Sequence, residues 1–313
     1  MKRIYYICNL QAGKATISSK IGSIIDMMTK AGYEVTVHPT QASFDAVLCT
    51  TAAAESGLYE YIFCSGGDGT LNEVMCGMMN AAHKIPIGYI PSGSTNDFAR
   101  SIGIPRGALK AAQSVLGGVP RRFDIGMVNT RSFNYIAAFG AFTDVTYETP
   151  QSAKNMFGQA AYLFSSMKKL TNIRAFPMRI TCDGGVYEGD FAFGMITNTA
   201  SVGGVVNISD FRFDDGLFEV TLLKRPETPA ELQKTITFLK DIHEMENTDK
   251  ILTFRAADIT IELLDTVHVP WTIDGEYMES AAKLHIVNHK QAVSLLVPTE
   301  HSRTGFSAIS PHQ

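Results

Sequence analysis

Gly66-Gly67-Asp68-Gly69-Thr70 stands between an apolar run, Tyr61-Ile62-Phe63-Cys64, and a helix-patterned stretch over residues 71–82. Three glycines in four positions let the backbone reach positive φ and let a large anion approach main-chain N–H groups without meeting a Cβ. A helix following such a turn points its positive end at that anion, so the stretch reads as a phosphate site at the end of a strand. Asp68 would repel a phosphate directly. In such a loop it makes sense if a divalent cation such as Mg²⁺ lies between the two. A second reading stays open, in which Asp68 or Thr70 caps the helix; Thr70-x-x-Glu73 fits the capping-box pattern.

A second block repeats the theme. Pro91-Ser92-Gly93-Ser94-Thr95-Asn96-Asp97-Phe98-Ala99-Arg100 follows another short apolar pattern (Ile85, Ile87, Tyr89, Ile90) and offers glycine, hydroxyls and a carboxylate before a helix start. Two such turns at the C-terminal ends of adjacent parallel strands would face one crevice, where ligands of open α/β sheets bind. A helix cap accounts for one of Asn96 and Asp97, not both.

Together these two motifs resemble the catalytic domain of the diacylglycerol and sphingosine kinase family, in its soluble bacterial lipid kinase branch. The first motif is shared with NAD kinases and, loosely, with 6-phosphofructokinases; the second points to the lipid branch. Further matches run along most of the chain. Asn9-Leu10-Gln11-Ala12-Gly13-Lys14 resembles the family's nucleotide loop, with Leu10 where a proline is usual. Thr40 resembles its nucleotide-contacting threonine, and Ser94 stands at a threonine position while keeping the hydroxyl. Lys154, Gly158 and Tyr162 resemble a helix motif, and Asn198 with Gly203-Gly204 another segment. Asp215-Gly216-Leu217 resembles a turn that helps hold a structural Mg²⁺, with Arg212 and Leu217 offering main-chain oxygens. Asp274-Gly275-Glu276 resembles the segment that supplies the catalytic base.

The resemblance implies an α/β N-terminal domain with a parallel sheet, NAD kinase/6-phosphofructokinase-like, followed by a mostly antiparallel β-sandwich. It also implies ATP and Mg²⁺. ATP phosphates would lie on residues 9–13, 66–72 (Gly66, Gly67, Asp68, Gly69, Thr70, Leu71, Asn72) and 93–94, with Asp68 and Asp97 organising Mg²⁺. Glu276 would accept the proton of the acceptor alcohol, with Asp274 as the fallback base. By the residues alone, Asp274-Gly275 is a hairpin signal, and so is Asp215-Gly216. Both readings can hold, because a tight turn is one way to present a carboxylate.

Periodicity divides the chain. Residues 1–125 alternate strand and helix patterns: 4–8, a helix with Ile17, Ile21, Ile24 and Met28 on one face and Gly32 as its stop, 33–38, then a helix through Phe44, Val47 and Leu48. Leu71, Val74, Met75, Met78 and Ala82 mark the buried stripe of the helix after the glycine loop. Residues 126–290 turn to short strands (176–182, 186–198, 218–223) with helices over 152–170 and 229–244. A final strand over 292–298 returns to the first domain if the resemblance holds, and residues 300–313 are polar.

Composition narrows the classes. At 313 residues and 45% hydrophobic content the chain can bury a large core. No apolar run approaches the roughly 18 residues of a spanning helix, and the basic, briefly apolar start reads as a first strand rather than a signal peptide. Five cysteines without a Cys-x-x-Cys pair suggest reduced thiols and a cytoplasmic protein. His285 and His289, four apart, would suit a metal only on a helix, and their surroundings read as strand. A net charge of −4 gives no global pull toward nucleic acid or anionic lipid. The pairs Arg121-Arg122 and Lys168-Lys169 leave peripheral, reversible membrane contact open, and homodimerisation stays open too. Phe98, Phe139, Phe142, Phe157 and Phe164 are candidates for an acyl groove, although ordinary core is the more common place for such residues. Three readings follow: a lipid kinase acting on diacylglycerol or a related lipid alcohol, a kinase of a soluble acceptor such as NAD, and a non-catalytic nucleotide or lipid sensor.

Overall fold

The structure is a computed structural model, and it describes residues 2–13, 17–94, 96–140, 173–199, 201–202, 206–208, 211–240, 247–265, 268–279 and 281–301. The chain forms two compact units: unit 1 is Met1–Asp124 with Gln291–Gln313, and unit 2 is Ile125–Lys290.

Unit 1 opens with β1 (Lys2–Cys8), α1 (Ile21–Lys30), β2 (Tyr33–Pro39), α2 (Asp45–Glu55), β3 (Tyr61–Gly66), α3 (Asp68–Asn80), β4 (Ile87–Pro91), α4 (Asp97–Ser101) and α5 (Ala108–Leu116). β1 pairs in parallel with both β2 and β3, and β3 pairs in parallel with β4. The C-terminal ends of β1, β3 and β4 therefore lie side by side. β3 and β4 are buried almost throughout, as parallel strands covered on both faces are. α1 buries Ile24 and Met28 on one side, and Gly32 follows it at φ +92°.

The two middle helices pack closely on one another. α2 forms where a helix through Phe44, Val47 and Leu48 is expected, and it buries Ala46, Cys49, Thr50, Ala53 and Ala54, while Leu48 and Phe44, the residue just before its first turn, are each 71% exposed. The reason is close packing: α2 meets α3 at Gly77, where a Cβ would lie 2.5 Å from the Val47 carbonyl oxygen. Thr51 Oγ1 donates to the Val47 and Gly77 carbonyls at 2.9 and 3.0 Å. Small residues permit that approach and large ones are turned outward. α3 begins at Asp68 and ends at Asn80, so Leu71, Val74, Met75 and Met78 are buried and Ala82 lies beyond the helix, exposed.

β5 (Val119–Val128) runs from unit 1 into unit 2, which continues with β6 (Arg131–Phe133), β7 (Ile136–Gly140), β8 (Phe176–Cys182), β9 (Gly185–Thr197), β10 (Ser201–Val202), β11 (Val206–Asn207), β12 (Phe218–Lys224), α6 (Pro229–Lys240), β13 (Ile251–Ala256), β14 (Asp258–Leu263), β15 (Trp271–Ile273), β16 (Glu276–Met278) and β17 (Lys283–Val297). In unit 2 the order β16-β15-β7-β9-β8-β14-β17 is antiparallel throughout. The long β9 also carries β12 and, through it, β13. Trp271, fully buried, meets Phe139 at 4.9 Å between ring centroids, and Phe133 stacks on Phe218 at 5.4 Å. The last residues of β17 belong to unit 1, where Leu295 pairs in parallel with Ile87.

An α/β N-terminal region with parallel strands and a largely antiparallel β C-terminal region is the expected fold class. Phe98 and Phe139 are core residues, at 2% and 0% exposure. His285 and His289 lie on β17, a strand, and His285 Nε2 sits 2.9 Å from the Asp258 carboxylate. All five cysteines are free. Among the described residues no helix is long and apolar enough to cross a membrane. The helix expected over 152–170, with Lys154, Phe157, Gly158, Tyr162, Phe164 and Lys168-Lys169, lies outside the described residues, as do Lys14, Phe142 and Gly203-Gly204.

Gly77→Ala adds a methyl group against backbone that cannot swing aside. Overpacking costs about 1–3 kcal/mol, and alanine returns roughly 0.8–1 kcal/mol of helix propensity. With backbone oxygen only 2.5 Å from the added carbon the cost falls at the upper end, about 3 kcal/mol, so the expected net loss is about 2 kcal/mol, read in urea as an earlier unit 1 transition by far-ultraviolet circular dichroism. An unchanged midpoint would mean that the helices separate without cost.

Candidate functional site

Three loops of unit 1 leave the adjacent ends of β1, β3 and β4 and meet through their backbones. Gly13 takes φ +59°, and a Cβ there would lie 2.5 Å from the Ser92 carbonyl oxygen. A Cβ on Gly93 would lie 2.6 Å from the Gly67 Cα, and one on Gly66 would strike the Thr70 side chain. The Ser92 N–H donates to the Gly66 carbonyl at 2.8 Å, continuing the β3–β4 pairing into the loops. The result is a surface of main chain rather than side chain at the start of α3, the arrangement that suits a bound phosphate.

Side chains lock these loops. Asn9 donates through Nδ2 to Thr70 Oγ1 at 3.1 Å, accepts the Gln11 N–H at its Oδ1, and sends its own N–H to the Ser65 carbonyl. Thr70 is thus the third residue of α3, tied to the first loop; the N-cap of α3 is Gly67, with no side-chain cap bond. The capping-box reading is corrected accordingly. Leu10 and Ala12 are half-buried, Gln11 and Gly13 exposed. Asn96 at φ +52° accepts the Gly93 N–H at 2.9 Å and donates to the Gly93 carbonyl at 2.8 Å, clamping the second motif. Asp97 follows as the first residue of α4.

Asp68 opens α3, half-buried, where the helix dipole favours a carboxylate. Tyr89, fully buried, donates to the Gly66 carbonyl at 3.3 Å; its phenol is pushed well above its usual value first by burial and then by the Asp68 charge. Gly69 and Ser94 are exposed, Leu71 is core and Asn72 half-buried. Thr40 lies just past β2, its N–H donating to the Cys8 carbonyl at 3.0 Å. Unit 1 thus gathers residues 9–13, 66–72, 93–94 and 96–97.

Unit 2 holds the other expected residues. β15 and β16 form a hairpin whose two turn residues, Asp274 and Gly275, sit at φ +49° and +88°, as a type I′ turn requires. The Asp274 carboxylate accepts the N–H groups of Asn134, Tyr135 and Ile136 at 3.0, 3.0 and 2.9 Å. Glu276, at the other end of the turn, is exposed, with Oε2 2.7 Å from Arg131 Nη2; Arg131 Nη1 donates to the Tyr277 carbonyl at 2.9 Å. Asp215 Oδ1 accepts the Leu217 N–H at 3.0 Å across Gly216, and Arg212, Asp215 and Leu217 share the loop before β12.

The sequence reading did not single out Asn96 as the clamp of Gly93, nor Arg131 as the partner of Glu276. Asn96 had a signal, a residue tolerant of positive φ three positions after a loop glycine. Arg131 had none, since 145 residues separate it from Glu276.

Comparison with known proteins places these features. Residues 3–128 match the Diacylglycerol kinase catalytic domain, and residues 138–296 match the YegS C-terminal NAD kinase beta sandwich-like domain. The chain belongs to the diacylglycerol kinase catalytic domain family. A Bacillus subtilis protein named diacylglycerol kinase is 35% identical over 281 residues, covering 88% of this chain and 90% of its own. A Staphylococcus carnosus protein of the same name is 31% identical over 304 residues, covering 97% of each. The crystal structure of a diacylglycerol kinase from Bacillus anthracis matches with a TM-score of 0.72 at 21% identity over 95% of this chain and 97% of that one, a likeness of fold.

Asp274→Ala takes a charged acceptor from three backbone amides of buried residues, and should cost unit 2 about 3 kcal/mol. Asp274→Asn, which keeps one oxygen, should cost about half as much. Trp271, the single tryptophan, lies on β15 beside this turn, so its fluorescence in urea reads the change directly. Equal midpoints for wild type and Asp274→Ala would exclude the anchoring role.

Proposed function

We propose that this chain is an ATP- and Mg²⁺-dependent lipid kinase that transfers the γ-phosphoryl group to the hydroxyl of diacylglycerol or a related lipid alcohol. The observation that carries this reading is the backbone meeting of Gly13, Gly67 and Gly93 at the start of α3, in a chain related to proteins named diacylglycerol kinase. Phosphoryl transfer asks little covalent work of a protein. It asks for in-line placement, neutralised charge and a group to take the nucleophile's proton.

The loops at 9–13, 66–72 and 93–94 hold the phosphates, and Thr40 makes a further nucleotide contact. Mg²⁺, when bound, neutralises the phosphate oxygens. Asp68 holds it, directly or through water, and Asp97 is the second candidate; a carboxylate with phosphate oxygens is a donor set that suits a hard cation. Arg212 and Leu217 carbonyls with Asp215 are the proposed structural Mg²⁺ site. Glu276 takes the proton of the acceptor hydroxyl. Its exposed carboxylate supports that role, whereas the Asp274 carboxylate is committed to three amides. Membrane contact is peripheral and reversible, and the five free thiols support a reducing, cytoplasmic setting.

The test is transfer of labelled γ-phosphate from ATP·Mg²⁺ to diacylglycerol, monoacylglycerol, sphingosine, ceramide, phosphatidylglycerol and NAD. Diacylglycerol should be labelled. Turnover should fall about 10²–10⁴-fold in Glu276→Gln and about 10²–10³-fold or more in Asp68→Ala, with circular dichroism unchanged. Label on NAD alone would replace the lipid acceptor with a soluble one. ATP binding without any product would leave a sensor.

A further inference from the structure

Outside the loops just described, one group of side chains in unit 1 combines three different metal-binding chemistries. His38 lies near the end of β2, Asp45 opens α2, and Cys49 is one helical turn further along α2. The His38 ring nitrogen, the Asp45 carboxylate oxygen and the Cys49 Sγ all lie within 4.8 Å of one another. Asp45 and Cys49 are i, i+4 on one helix face, the spacing that brings two side chains to one ligand.

The start of α2 explains part of this arrangement without a cation. Asp45 Oδ2 accepts the Gln41 N–H at 2.8 Å and lies 3.1 Å from His38 Nε2. Both contacts use Oδ2. Neither requires a thiol at the same spot, and Cys49 turns its Sγ toward the Ala46 carbonyl at 3.6 Å only as a weak helical contact. His38 and Asp45 are partly exposed and Cys49 is buried, so the group has a wet side and a dry side. Tyr5 packs beside the imidazole, with ring centroids 6.0 Å apart, and steadies its plane.

We propose that His38, Asp45 and Cys49 form a binding site for a borderline-soft divalent cation of the zinc class. Bonds of about 2.0–2.3 Å from nitrogen, oxygen and sulfur to one ion require the three donors to close to roughly 3.5 Å of one another, a rotamer adjustment from where they stand. Imidazole with thiolate selects zinc-like ions over Mg²⁺, which prefers oxygen donors alone. The site is therefore chemically separate from the carboxylate–phosphate site at Asp68. Three protein ligands leave the fourth position to water on the exposed side. On binding, the Cys49 thiol gives its proton to solvent and its sulfur lone pair to the ion, with no change of oxidation state. The bound ion would tie the end of β2 to the start of α2 and so bracket the segment that carries Thr40.

Cobalt(II) reports such a site by absorbance alone. The full chain, stripped of metal with a chelator, is titrated with Co²⁺ and then with Zn²⁺. The expected result is one equivalent of Co²⁺ giving a thiolate-to-metal charge-transfer band in the near ultraviolet, bleached by one equivalent of Zn²⁺ and untouched by excess Mg²⁺. The band disappears in Cys49→Ser. His38→Gln and Asp45→Asn, at the partly exposed rim, weaken Co²⁺ binding by at least about tenfold, since even an outer partner of a ligand is worth about 10- to 100-fold. No band in the wild type, a band that survives in Cys49→Ser, or unchanged affinity in both rim variants would each overturn the site. If Cys49→Ser fails to fold, the two rim variants decide the outcome.

Discussion

Main chain against main chain is the contact on which unit 1 depends. Gly66 and Pro91 are the last paired residues of β3 and β4, and the two chains stay in step for one more hydrogen bond before they turn. From there the Gly93 and Gly67 backbones run too close for any side chain between them. The α3 N-terminus, the Asn9 loop and the Asn96 clamp all take their positions from that approach. Positive φ at Asn96 costs on the order of 1–2 kcal/mol, and its two bonds to Gly93 offset it. A loop so determined presents its N–H groups in fixed positions.

Unit 2 places two carboxylates two residues apart in different settings. Asp274 faces inward onto three consecutive amides and makes the hairpin part of the core edge that Trp271 completes. Glu276 faces outward and meets only the flexible end of Arg131 among the described bonds of its carboxylate. One carboxylate, half-buried, is committed to backbone donors, while the other stays exposed.

What could be read from the sequence was local. A strand, a glycine turn and a helix within twenty residues carry their own signals, so the loops at 66–70 and 93–97 and the Asp274-Gly275 hairpin stand out before any fold is known. β8, expected over 176–182, occupies those residues. What could not be read was settled between distant segments. A helix through Val47 and Leu48 is legible, yet which of its faces is buried is not: Gly77 on another helix selects the small residues and leaves Leu48 exposed. Thr70 fits a local capping pattern, yet Asn9, 61 residues away, takes its hydroxyl. The partners of Asp274 lie about as far upstream as Arg131 does from Glu276. Pairings over such separations leave no periodicity behind.

β17 is a single strand of 15 residues that serves both units. Its first part pairs with β14, and its later part reaches β4. During synthesis, residues up to Asp124 therefore leave the ribosome with the strand position beside β4 still vacant, and it is filled only after all of unit 2 has emerged. The nascent sheet edge at β4 would stay open for that interval, a natural binding place for chaperones and a point at which premature release would favour aggregation.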